Sequence, residues 1–229
     1  DIPPKSVRRR RPLGTWAKSL EETAALQIPD QWIQFLYDSA VRSLLMLSAD
    51  DPVPGPYTYR RFWFRDACLM LNAMMSANMM ERSRDCIDRF PSRQKRSGYF
   101  QSQEGEWDSN GQVLWIMDRY LRLSGERPSE QWLKAIFKGA HWIDNKRIAE
   151  KPGLRHGGLL PAGFSAEHLG PNDYYYWDDF WGLIGLRIAA KEARRWHPGD
   201  MADRFEALHQ DFNRCIFDSI AAISPIARR

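Results

Sequence analysis

Three short stretches of this 229-residue chain set carboxylates among aromatic rings: YRRFWFRD (Tyr59–Asp66), GEWDSNG (Gly105–Gly111) and DYYYWDDFWG (Asp173–Gly182). Acidic side chains normally stay in water and aromatic ones leave it, so segments that combine them have a chemical use for the mixture. Aromatic faces stack on the apolar faces of a pyranose, while Asp, Arg and Asn take its hydroxyls through charge-assisted or bidentate hydrogen bonds. Cleavage of a glycosidic bond uses two carboxyl groups, one of them protonated as general acid. Aromatic walls limit solvation of a carboxylate, and a neighbouring carboxylate repels it, so both raise its pKa towards neutrality. Asp178 and Asp179, flanked by Trp177 and Phe180, have that setting. Each of Asp66, Asp108 and Asp178 taken alone also fits a helix N-cap. A cap, however, needs no Arg beside it, no cluster of Trp and Tyr, and no second Asp.

The elements that must position these residues read as helices. Helical periodicity predicts segments near 30–48, 66–79, 81–95, 109–124, 129–148, 178–196 and 200–219, with SGYFQS (Ser97–Ser102) as the one short stretch that could pair as a strand. The fold class is all-α. Segments such as CLMLNAMMSANMM (Cys68–Met80), VLWIMDRYL (Val113–Leu121) and FWGLIGLRIAA (Phe180–Ala190) are apolar almost all round and must be buried on every side. They alternate with helices carrying a single dry stripe, as in Met201, Phe205, Leu208, Phe212 and Ile216. That alternation implies a double layer, an inner ring of helices wrapped by an outer one. Each inner helix follows one of the three chemical stretches. If the inner helices run parallel, their starts converge on one bowl lined with Trp, Tyr, Asp and Arg.

Composition narrows the alternatives. Net charge is +4, from 33 basic and 29 acidic side chains, and the run Arg8–Arg11 accounts for the whole excess. The body is electrically balanced, which argues against a nucleic-acid partner. Residues 1–29 read as an extended basic leader with a short amphipathic piece near Trp16–Leu26, and 30–229 as one domain. Three cysteines (Cys68, Cys86, Cys215) without metal-ligand spacing predict reduced, buried thiols and a cytoplasmic setting. No stretch approaches the ~18 apolar residues of a membrane span, so no membrane partner is expected.

The three stretches resemble those of the six-hairpin glycosidases with an (α/α)6 toroid: glucoamylases, trehalases and the amylo-α-1,6-glucosidase part of glycogen-debranching enzymes. The resemblance implies that Trp63, Arg65 and Asp66 of FWFRD bind the terminal glucose-like ring. EWDSNGQVLW then brings Trp107, Asp108 and Asn110 to the substrate. YYYWDDFWGLIGL is similar to the segment carrying the general acid, which makes Asp178 the acid, Asp179 its neighbour, and Tyr176 and Trp177 part of the sugar site. HGGLLPAGFSAEHLG (His156–Gly170) resembles the loop before that helix and would bring Glu167 and His168 towards the bowl.

The implied activity is inverting, exo-acting hydrolysis of an α-glucoside or related oligosaccharide, without metal or organic cofactor. In this family the general base comes from late in the toroid. The chain holds about seven of twelve helices and offers no residue for that role, so the rest of the same catalytic domain is an expected partner. Two other readings stand beside this one: a carbohydrate-binding or regulatory relative without catalysis, and a toroidal lyase or epimerase, which would lean on Tyr, His or Arg.

Overall fold

The structure, a computed structural model, describes residues 16–21, 23–151, 153–164 and 171–223. Among the described residues eight α-helices run in chain order: α1 (Trp16–Glu21), α2 (Gln31–Leu47), α3 (Phe64–Ser76), α4 (Met80–Ile87), α5 (Ser109–Ser124), α6 (Glu130–Lys146), α7 (Tyr176–Trp196) and α8 (Asp200–Ala221). The expected helix over 81–95 stops at Ile87, and Pro91, which has no N–H to donate, opens a separate 3-10 turn, Pro91–Arg93. No strand forms at Ser97–Ser102. There the Phe100 amide donates to the Asn110 side chain (2.8 Å) instead of to a ladder. The one strand-like feature among the described residues is a single bridge between Gly163 and Asp173. The stretch expected as an extended leader is tied to the body from Ala24, whose amide donates to the Ala77 carbonyl at 2.9 Å.

Helices α3, α5 and α7 pack side by side, while α4 lies against α3 and α5, α6 against α5 and α7, and α8 against α7. Two rows result, with α5 between α3 and α7. Contacts at two levels fix the direction of the first row. Near the helix starts, Arg65 of α3 and Trp177 of α7 both reach Asp108 at the start of α5 (2.7 and 2.8 Å). Three turns on, Arg119 of α5 donates to Asn72 of α3 (2.8 Å), and Lys191 of α7 pairs with Asp118 of α5. The three helices therefore run parallel, and their N-termini converge.

Close approach of α5 and α7 makes that convergence possible. A Cβ on Gly111 would collide with the Trp181 carbonyl, and one on Gly185 would lie 3.2 Å from the Gly111 Cα. Between the rows the core is heavily aromatic. Phe64, at the first position of α3, makes edge contacts with Phe62, Phe90 and Phe100 at centroid distances of 4.9, 5.2 and 5.3 Å. Burying side chains of this size, each worth roughly 1.5–3 kcal/mol, anchors the start of α3 beneath the segment carrying Arg65.

Candidate functional site

The site is built on three helix starts. Two of the helix boundaries fall two residues earlier than the periodicity predicted, and this changes what the acidic residues do. The N-caps of α3 and α7 are Trp63 and Tyr175, so Asp66 and Asp178 lie inside the first turn. Asp108 does occupy the N-cap of α5, but its side chain makes no capping bond. None of the three acts as a capping side chain. Side-chain caps occur instead on α2, where Asp30 accepts from the Trp32 and Ile33 amides, and on α6, where Ser129 accepts from Trp132.

Asp108 is the hub. Its Oδ2 accepts from Arg65 Nε (2.7 Å), Trp177 Nε1 (2.8 Å) and Gln112 Nε2 (3.2 Å), one donor from each of α3, α7 and α5. Arg65 also faces Glu106, whose Oε1 lies 3.6 Å from its outer nitrogen. Asp108, Glu106, Asp178 and Asp179 are all buried. Asp108 Oδ1, Ser109 Oγ and Gln112 Oε1 are buried with no hydrogen-bond partner among the described residues. Each such atom costs about 1–3 kcal/mol, so this end of the row is assembled at the expense of stability.

Asp178 and Asp179 are neighbours in sequence and face different surroundings. Burial, followed by the negative charges of Asp108 and Asp179, raises the Asp178 pKa to about 8, with Arg65 opposing. With that value it holds a proton at neutral pH. Asp179 accepts from the Leu160 amide (2.9 Å). Burial raises its pKa to about 6 against that amide and the nearby Arg147. Asp179 thus pins the α6–α7 connection, beside Asp178 in sequence.

The connection is fastened at two further points. The Phe164 amide donates to the Gly105 carbonyl (2.8 Å), which fits because Gly105 has φ +92° and a Cβ there would meet the Phe164 backbone at 2.9 Å. The Trp107 indole donates to the Pro161 carbonyl at 3.1 Å. The Trp107 ring is buried, and Lys146 Nζ lies 3.8 Å above it. Asn110 belongs to the same opening. It is fully buried and spends its amide on Phe100 N, Gly98 O and Gly139 O (2.8, 3.0 and 3.0 Å). Tyr176 turns to the second row, its hydroxyl 2.8 Å from Ser219 Oγ on α8.

Trp177 keeps its edge on Asp108 and is 51% exposed. Trp63 is half-buried, with the Arg61 guanidinium 4.0 Å over its ring. Asp66 is half-buried one position beyond Arg65. Glu167 and His168 lie outside the described residues. His156 stacks on Tyr174, the ring centroids 3.7 Å apart.

Sequence reasoning missed Glu106, Gln112, Trp115 and Trp181. Glu106 sits two residues before Asp108 in the same opening, and that placement was its available signal. Trp181 lies one turn beyond Trp177 on α7 and contacts both Trp177 and Trp115 of α5, at 5.8 and 5.4 Å, so an aromatic wall continues below the hub.

One potential metal-chelating set occurs among the described residues, Glu150, Asp211 and Cys215. Its carboxylates are already paired with Arg214, at 2.9 and 2.7 Å. All three cysteines are free and buried. No helix among the described residues is long and apolar enough to cross a membrane. Comparison with family models, curated proteins and solved structures gives no match to this chain.

Proposed function

We propose that the convergent N-terminal end of α3, α5 and α7 is the sugar-binding and acid half of an inverting, exo-acting glycoside hydrolase of the six-hairpin type. Its substrate class is an α-glucoside or related oligosaccharide. One observation carries the reading: Asp178, buried beside an exposed Trp177, keeps its proton to about pH 8. A carboxyl group that is neutral at working pH can protonate a glycosidic oxygen. Trp177 and Trp63 offer rings for stacking, and Arg65, steered by Asp108 and Glu106, offers donors to hydroxyls.

In this reading the two parallel rows are an arc of an (α/α)6 toroid, and a further inner helix brings the general base. Inversion requires that carboxylate about 6.5–9.5 Å from the acid, with water between. Glu106 and Asp108 are turned to Arg65, and Asp179 to Leu160, so none of them suits the role. That commitment also favours the second reading, a carbohydrate-binding relative that keeps the bowl and lacks hydrolysis.

The test is a screen of the complete protein against maltose, isomaltose, trehalose and other glucosides, with the product anomer followed by NMR. Hydrolysis with inversion, lost in Asp178→Asn, is the expected result. Hydrolysis unchanged in Asp178→Asn contradicts the mechanism, and calorimetric sugar binding without turnover selects the binding relative.

A further inference from the structure

Away from the candidate site, one face of α2 is left uncovered by the described residues. Tyr37, Val41, Leu44, Leu45 and Ser48 turn inward, whereas Trp32, Phe35, Leu36, Ser43 and Met46 are exposed and Ser39 is half-exposed. At 3.6 residues per turn these last six span an arc of about 100°. No charged residue lies inside the arc, and Arg42 marks its edge. The Ser43 hydroxyl is spent on the Ser39 carbonyl (2.8 Å), so even the polar members present little to water.

The two ends of this face differ in shape. At the N-terminal end, Trp32 and Phe35 stack 5.4 Å apart as a protruding pair, 66% and 55% exposed. At the C-terminal end lies a cleft of about 830 Å³, with Met46, Leu47, Val53, Tyr57 and Phe62 on its walls and Asp50, Asp51 and Arg60 also lining it. Small residues, Ser39 and Ala40, sit midway.

We infer that this face is the contact between two copies of the chain, paired antiparallel about a twofold axis through Ser39. That operation sets Trp32 against the partner's Met46 and Phe35 against the partner's Ser43, so the aromatic knob of each copy enters the cleft of the other. Ser39 meets its own image, and its small side chain lets the helices approach. A surface carrying both knob and socket on one helix, related by its own midpoint, is self-complementary in the way an isologous interface requires. With Tyr57 beside the cleft, the exposed apolar side chains of this face present on the order of 700 Å². This exceeds the ~300–600 Å² of the largest patch on a typical monomer and approaches the ~800 Å² that each partner gives to a stable interface.

The test uses the complete protein in sedimentation velocity across micromolar concentrations. A monomer–dimer equilibrium is expected, and Phe35→Asp raises its dissociation constant about 30-fold or more with helical circular dichroism unchanged. Ser39→Cys places a thiol on the twofold axis and yields a disulfide-linked dimer on mild oxidation, whereas Met201→Cys on α8 does not. A chain that is monomeric at every concentration overturns the proposal. So does a dimer that survives Phe35→Asp and is not trapped by Ser39→Cys. The outcome does not depend on any sugar chemistry.

Discussion

The two ends of the α3–α5–α7 row are built from the same helices and obey opposite rules. Towards the C-terminal end, the buried acids Asp118 and Glu192 each have a partner. Asp118 takes Lys191 and Arg122 (the latter at 3.0 Å), Glu192 takes Lys191 at 3.4 Å and the Trp196 indole at 3.0 Å, and Arg119 takes Asn72 at 2.8 Å. At the N-terminal end, three buried acidic residues (Glu106, Asp108 and Asp178) share the Arg65 guanidinium, a fourth (Asp179) lies near Arg147, and three buried polar atoms have no described partner. Satisfied pairs hold a bundle together. An excess of buried acid does not, and it can persist only where the surrounding fold is strong enough to carry it. In the proposed function, that difference is stability given up for chemistry at the N-terminal end.

Substitutions on each side of this contrast separate the two roles. Asp178→Asn has the largest expected effect, a loss of roughly 10²–10⁴ in turnover by the complete protein on its glucoside. The same variant stabilises the fold at alkaline pH. Folded Asp178 keeps its proton to about pH 8, against a reference value of 3.8. The folded state therefore binds more protons between those values, and stability is full below about pH 4 and is lost as pH rises towards 8. Asp179 adds the same sign over a shorter range, up to about pH 6. Urea titrations at pH 5 and pH 8 are expected to differ by roughly 5 kcal/mol in the parent, and by only about 1 kcal/mol in Asp178→Asn, where Asp179 alone contributes.

Gly111→Ala tests the convergence itself. A methyl group there meets the Trp181 carbonyl, and a loss of about 3 kcal/mol is expected in chemical denaturation. Trp177→Phe keeps the ring and removes one donor from Asp108, and it should weaken sugar binding by about 1.5 kcal/mol in calorimetry. Lys191→Ala, at the balanced end, is the smallest. Lys191 is 44% exposed, so at most about 1 kcal/mol of stability should be lost, with turnover unchanged. A large effect of Lys191→Ala on turnover would erase the distinction between the two ends.

Much of this was legible in the sequence. The alternation of all-apolar and one-faced segments anticipated two rows, and the repeated aromatic-acid openings anticipated the meeting of Arg65, Asp108, Trp177 and Asp178. Side-chain direction was not legible. In the first turn of a helix, two residues of boundary shift turn a side chain through about 200°. Asp66 and Asp178 therefore changed from prospective caps to first-turn side chains when α3 and α7 began at Phe64 and Tyr176. The same limit hid the fates of Trp107, Asn110 and Tyr176, which share the openings yet face the core or the second row. Nothing in a run such as GEWDSNG says which of its polar residues will be spent on neighbouring backbone.

The account rests most directly on the proton held by Asp178. Carbon-13 NMR of the side-chain carboxyl groups through a pH titration, with Asp178→Asn to assign the resonance, measures it. A midpoint near pH 8 is the predicted result. A midpoint near pH 4, the range of an ordinary aspartate, would contradict the assignment of Asp178 as the buried acid.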